Sequence, residues 1–326
     1  FTIIQECLAP LTRSLPGAEQ LCDDGAILSV PSGCELVVTT DSLHQGRHFI
    51  GDEPAGDIAR KALRVNLSDL AAMGADPLAY QLGLSLPKND DRFDQDWLQA
   101  FTNALAEDQK QFGISLSGGD LTSTHGPLSI TITAMGIVPE GTGVHRRGAQ
   151  AGDSILLTGP VGDAGAGLGV LKHEINADKA SATHLITRYR VPDINTAIAG
   201  AVREHAHAAI DLSDGLHADL QHICNASGAG ADIYTKTIPL SDACTRLLQD
   251  GKLDWPAILT GGDDYKLLLA VAENQLESFM KQAKACGLAP AVIGHFTDTH
   301  NHDRGVCIYD DNGHALTLSQ SGWRHF

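Results

Sequence analysis

Six groups of acidic side chains stand at the ends of apolar runs or on an apolar face. They are Asp23/Asp24, Asp41, Asp69, Asp120, Asp211/Asp214 and Asp263/Asp264. Strand ends gather at one edge of a sheet, so separate segments can converge there. Clustered carboxylates raise one another's pKa unless cations intervene. Hard divalent cations with oxygen ligands suit such a set, and Thr39, Thr40 and Ser213 add neutral oxygens beside it. Mg²⁺ takes a few carboxylates and completes its shell with substrate phosphates. The residues on their own therefore point to a multi-metal phosphate site. The Walker A lysine motif is missing, which excludes the ordinary P-loop, and so are the HRD and DFG signatures of protein kinases.

Asp69 is the most telling of these acids. Residues 52–78 read DEPAGDIARKALRVNLSDLAAMGADPL. Asp52, Glu53 and Pro54 mark a helix start, and Gly74 and Pro77 its end. Ile58, Ala62, Val65, Ala72 and Met73 fall at spacings of three and four and share an apolar face, on which Asp69 also lies. A carboxylate there is costly unless backbone amides or a cation neutralise it.

The remaining elements must position these acids. Residues 1–20 read as a helix, LCDDGAILSV (21–30) as a strand carrying Asp23 and Asp24, and ELVVTTD (35–41) as a β-branched run ending in an acid. AYQLGLSLP (79–87) alternates as a strand, and Leu98, Phe101, Leu105, Gln109 and Phe112 mark a helix. ISLSGGD (114–120) reads as a short strand ending in Gly118, Gly119 and Asp120, and LSITITAMGIV (128–138) as a strong β-run. The Gly-rich stretch 139–153 has no periodicity and holds the domain boundary, giving domains 1–140 and 141–326. Beyond it come a strand, a Gly-rich turn (GPVGDAGAGLG, 159–169) and a helix. AAIDLSDG (208–215) makes a strand-to-helix turn, and TGGDD makes an acidic turn between two apolar runs. The Gly-rich turn could cradle a phosphate at a helix N-terminus or allow close packing; both readings stand. Arg146 and Arg147 are likewise a phosphate clamp or a solvated turn.

Composition narrows the class. The 326 residues suffice for two domains, and 43% hydrophobic content is ordinary for a globular protein. A formal charge of −17 argues against a nucleic-acid or anionic-membrane partner. Seven cysteines without a C-x-x-C pair suggest buried thiols in a reducing cytosol. No apolar run reaches membrane-spanning length, and FTIIQECLAPLTRSLPG lacks a signal-peptide pattern, so the expectation is a cytoplasmic protein. The pairs His205/His207 and His300/His302 read as solvated rather than as zinc ligands.

With these residues in hand, the chain resembles the thiamine-monophosphate kinases, in the superfamily of aminoimidazole ribonucleotide synthetase and selenophosphate synthetase. The likeness runs through DDGAIL, TTDSLHQGRHF, KALRVNLSDLAAMGADP, GGDLTSTHGPLSITITAMGIVP, RRGAQAGDSILLTGPVGDAGAGL, AIDLSDGLHADLQHI and GGDDYKLLLAV. It implies an α/β fold of two domains: an N-terminal α/β domain whose sheet pairs with its twin across a homodimer into a barrel, and a C-terminal α/β domain with a mixed sheet and helices. The resemblance puts the site in the crevice between them. It implies transfer of the γ-phosphate of ATP to thiamine monophosphate. By motif match, Asp24, Thr39, Thr40, Asp41, Asp69, Asp120, Asp211 and Asp214 would hold several Mg²⁺ ions. Gly119, Asp120, Arg146 and Ser213 would contact ATP, and His48, Asp263 and Trp323 the thiamine end. The acceptor is an already ionised phosphate oxygen, so neither a nucleophile nor a dedicated base is expected. Three motifs depart from the family: GGDDYK stands for GGEDYE, GGDLT for GGDTT and DDGA for DDAA. A synthetase of the same superfamily and a non-catalytic Mg-nucleotide-binding subunit are the alternatives.

Overall fold

The computed structural model describes residues 4–298, 305–318 and 322. The chain divides into two units, Phe1–Leu70 with Ala75–Gly141, and Ala71–Gly74 with Thr142–Phe326. In the first lie β1 (Cys34–His44), α1 (Ala55–Ala72, whose last two residues count with the second unit), β2 (Asp76–Pro87), α2 (Gln95–Phe112), β3 (Ser115–Thr124) and β4 (Ser129–Pro139). The sheet order is β1-β4-β2-β3, parallel between β2 and β3 and antiparallel elsewhere.

Strand alternation sorts this sheet into two faces. One carries Leu43, Ile130, Ile132, Ala134, Tyr80, Leu82 and Leu84, all buried. The other carries a ladder of hydroxyls: Ser42 bonds Thr131 at 2.7 Å, Thr40 bonds Thr133 at 2.9 Å, and Ser85 bonds Thr122 at 2.9 Å. On that second face Leu36 and Val38 remain 42% and 53% exposed.

Helix α1 begins where Glu53 accepts the N–H groups of Ile50 and Gly51, and it ends at Gly74 with φ of 70°. It is buried almost all round, Leu63, Leu67 and Leu70 included, so its apolar face is wider than the spacing of three and four alone implies. Helix α2 is capped by Asp94, which accepts from Trp97 N at 2.8 Å.

Three local expectations fail here. Residues 21–30 are not a strand: past Leu21 they run irregularly, and Ile27 is 84% exposed. Their apolar alternation has no partner strand to face. The stretch before them is a set of short π and 3-10 turns, Ile4–Leu8, Ala9–Thr12 and Pro16–Leu21, because Pro10 and Pro16 interrupt a continuous helix. Gly118, Gly119 and Asp120 lie inside β3 rather than at its end, with a register shift opposite them between Tyr80 and Gln81.

The second unit contains β5 (Ser154–Leu157), α3 (Asp163–Leu171), α4 (Lys179–Arg190), α5 (Ala199–His205), β6 (Ala206–Asp211), α6 (Leu216–Ser227) and β7 (Ala229–Tyr234). There follow α7 (Asp242–Gln249), α8 (Trp255–Thr260), β8 (Leu267–Val271), α9 (Leu276–Ala285), β9 (Ala291–Asp298) and β10 (Val306–Tyr309). The mixed sheet has the order β10-β7-β9-β5-β8-β6. Both its faces are covered. Ile155, Leu157, Leu268 and Phe296 pack with Leu220 and Ile223 of α6 and Ile258 of α8. Leu156, Leu269 and Val271 pack with Val202 of α5 and Phe279 of α9. Among the described residues no helix is long and apolar enough to cross a membrane.

Candidate active site

In the first unit, β1 and α1 together place three of the expected residues. Thr39 and Asp41 lie on the face of β1 that looks to α1; Asp41 stands cross-strand from Ile132 in an otherwise apolar row. Thr39 Oγ1 donates to Asp69 Oδ2 at 2.6 Å, and Asn66 Oδ1 accepts from Asp41 N at 3.1 Å. Burial first, then the charge and hydrogen bonding of Asp69, push the Asp41 carboxyl up to about 7. Two carboxylates sharing a partly buried space beside hydroxyls form an all-oxygen donor set that fits a hard cation. Thr40 points to the opposite face, where it bonds Thr133.

Asp23, Asp24, Gly119 and Asp120 share the wall of a cavity of about 420 Å³, lined also by Leu8, Leu116 and Thr131. Asp41 and Asp120 thus sit on strands at opposite edges of one sheet, so the gathering of strand ends does not explain their placement. His48 follows β1; its Nδ1 accepts from His44 N at 3.0 Å, which leaves the proton of the neutral ring on Nε2.

In the second unit, two turns are laced together. Strand β6 ends at Asp211, the segment after it carries Ser213 and Asp214, and the segment before β8 carries Asp263 and Asp264. Asp263 N donates to Ser213 O at 3.0 Å, Tyr265 N to Leu212 O at 2.8 Å, and Leu212 N to Lys266 O at 2.8 Å. A Cβ at Gly262 would meet Ser213 O at 2.3 Å, so only glycine permits this approach. Ser213 and Asp263, one expected at ATP and the other at the acceptor, are therefore neighbours.

The sequence reading missed Asp219 and His222. Asp219 is 1% exposed, and its Oδ2 accepts from Asp214 N at 3.1 Å and Gly215 N at 3.2 Å. Burial and then the charge of Asp214 push it up to about 7, with the two backbone N–H groups and then Arg146 pulling the other way. Asp214, Asp219 and His222 bring one ligand atom each within 4.8 Å of one another. The signal was the spacing Asp214-x4-Asp219-x2-His222, in which Asp219 and His222 stand one turn apart on α6 and Asp214 lies in the turn before it.

The Gly-rich turn resolves differently from a phosphate cradle. Asp264 Oδ2 accepts from Gly162 N at 2.7 Å and its Oδ1 from Ala164 N at 3.3 Å, so a carboxylate of the chain itself caps α3. A Cβ at Gly167 would meet Leu185 O of α4 at 2.2 Å, which makes close helix packing the reason for the glycines. His205 departs from its expected solvation: it is 5% exposed, bonded to Gln275 and Gln282, and edge-on to Phe279. Of the cysteines, Cys7, Cys224 and Cys244 are buried and Cys22 is exposed. Trp323, His300 and His302 lie outside the described residues.

Residues 22–138 match the family of AIR synthase related proteins, N-terminal domain, and residues 150–306 match its C-terminal domain. The thiamine-monophosphate kinase of Salmonella typhimurium is 44% identical over 306 residues, covering 93% of this chain and 90% of the relative. That of Caulobacter vibrioides is 38% identical over 332 residues, covering 100% and 90%. The crystal structure of thiamine-monophosphate kinase from Stenotrophomonas maltophilia K279a superposes with a TM-score of 0.79 at 38% identity, covering 91% of each chain. AaThiL complexed with AMPPCP and TMP has a TM-score of 0.79 at 26% identity, covering 100% of this chain and 98% of its own. With AIR synthase related domains at both ends and relatives matched along nearly its whole length, the chain belongs to the thiamine-monophosphate kinase family.

Proposed function

We propose that this chain transfers the γ-phosphoryl group of ATP to thiamine monophosphate, giving thiamine diphosphate, as a homodimer in the cytoplasm. The observation that carries the reading is the 44% identity with a thiamine-monophosphate kinase across 93% of the chain. The neighbour complexed with AMPPCP and TMP supports both substrates. Asp24, Thr39, Thr40, Asp41, Asp69, Asp120, Asp211 and Asp214 are the candidates to hold Mg²⁺. When bound, such ions neutralise phosphate charge and let two anions approach. Gly119, Asp120, Arg146 and Ser213 are assigned to ATP, and His48, Asp263 and Trp323 to the thiamine end.

The residues themselves supply orientation. Thr39 fixes the Asp69 carboxylate, the His44 N–H fixes the His48 ring, and the backbone of Leu212 and Ser213 fixes Asp263 and Tyr265. Phosphoryl transfer needs alignment and charge neutralisation more than covalent chemistry, so such orientation is the main contribution required of the side chains. Dimer formation is supported by β1, an edge strand whose Leu36 and Val38 are largely exposed. The test incubates the protein with ATP, Mg²⁺ and either thiamine monophosphate or free thiamine. Thiamine diphosphate is expected from the first and no monophosphate from the second; turnover of free thiamine, or no diphosphate, overturns the reading. Sedimentation at micromolar protein giving a monomer overturns the dimer.

A further inference from the structure

The turn 261–266 divides its side chains by alternation. Asp264 goes inward to cap α3, and Lys266 pairs with Asp193 at 2.9 Å. Both anchors hold the turn from below. Asp263 and Tyr265, between and beside them, are half-buried and have φ of 69° and 49°. An aspartate tolerates that left-handed backbone; a bulky tyrosine there is a real outlier, retained only where its surroundings over-determine it. The tyrosine hydroxyl donates to Asp263 Oδ1 at 3.0 Å. Asp263 is one methylene shorter than the glutamate usual in the family motif, so it reaches less far and its placement by the turn matters more.

We propose that Tyr265 is a positioning residue: its hydroxyl fixes the plane of the Asp263 carboxylate and so sets the affinity for an acceptor bearing a cationic ring. This rests on the reading of Asp263 as the group that meets the thiamine end. The strained backbone puts the phenol where it can reach back two residues to the carboxylate. The two anchors at Asp264 and Lys266 keep it there.

Steady-state kinetics of the full chain with ATP and thiamine monophosphate test this. Tyr265→Phe keeps the ring and its packing and removes only the hydroxyl. It is expected to raise KM for thiamine monophosphate about three- to tenfold, with kcat, KM for ATP and the melting temperature unchanged. Asp263→Asn is expected to raise the same KM at least ~tenfold, and the double variant to match Asp263→Asn, since the hydroxyl acts only through the carboxylate. If Asp263→Asn raises KM and Tyr265→Phe does not, the inference falls while the assignment of Asp263 stands. If Asp263→Asn leaves KM unchanged, the assignment itself falls. Parallel losses of melting temperature, kcat and both KM values in Tyr265→Phe make the tyrosine merely structural and also overturn the inference.

Discussion

Asp41 is half-buried and Asp264 buried, and burial pushes each of these acids up to about 7. Their surroundings differ. Asp41 has a second carboxylate, Asp69, beside it, and that neighbour raises it further. Asp264 receives the N–H groups of Gly162 and Ala164, which oppose the rise. The first arrangement leaves two desolvated acids whose natural complement is a cation from outside. The second is completed by the chain itself, because the start of a helix offers spare N–H groups and a favourable dipole. A similar shift therefore serves two purposes, and only the partner tells them apart.

The largest test of that contrast is Asp69→Asn. With a cation ligand lost, kcat is expected to fall on the order of a thousandfold or more, and the Mg²⁺ needed for half-maximal rate to rise. The metal-free fold keeps its stability or gains some, since one of two repelling acids is gone. A folded variant with near-native rate and Mg²⁺ dependence would return Asp69 to a purely structural role.

Next comes pH. Both acids keep their proton in the fold up to about pH 7, whereas the unfolded chain releases it near pH 4. The fold thus binds more protons in that window, and metal-free stability must fall as pH rises through it, by ~1.4 kcal/mol per pH unit for each group. Thermal melts at pH 5.5 and 7.5 should show the loss. Asp41→Asn and Asp264→Asn should each flatten it, and Mg²⁺ should recover the Asp41 share alone. Identical profiles for all three proteins, with and without Mg²⁺, refute the assignment.

A smaller effect is expected of Asp264→Ala. Uncapping α3 should cost about 1–2 kcal/mol, measured by denaturant unfolding, and should raise KM for thiamine monophosphate as the turn bearing Asp263 loosens, with kcat retained at temperatures well below the transition. Loss of kcat without loss of stability contradicts an internal cap. Smallest is Thr133→Val on the hydroxyl face of the first sheet, where the Thr40–Thr133 hydroxyl pair is lost. Its stability should change by less than about 0.5 kcal/mol. A multi-kcal loss there means that the ladder is more than surface pairing.

Much of this was legible in residue types. Asp69 stood out because a helix period placed a carboxylate on an apolar face, and that helix, α1, is buried along it. In the second unit β5, α3, β6 and α6 were readable because each buried row has a partner, whereas β7, β10, α4, α7 and α8 were not anticipated. Residues 21–30 misled because alternation reports that a strand is possible and says nothing of a partner to pair with. Gly118-Gly119 misled as punctuation, whereas β3 runs through them. Asp219 escaped because its spacing to Asp214 bridges a turn and a helix, where no single period applies. The cap on α3 was beyond reach of any local pattern, since its acceptor comes from another stretch of chain altogether.

That cap has a consequence for the order of assembly. Gly162 and Asp264 are 102 positions apart, and β5, the first strand of its sheet, lies between β8 and β9, which are made much later. Early and late segments must therefore meet before either is finished, the kind of non-local topology that slows folding. At about 5–20 residues per second of synthesis, residue 264 follows residue 162 by several seconds. Through that interval α3 starts without its cap and both edges of β5 are open to other chains. A chain stopped at Gly261 is expected to be cut rapidly by protease within residues 154–171, a stretch that the full-length chain should protect.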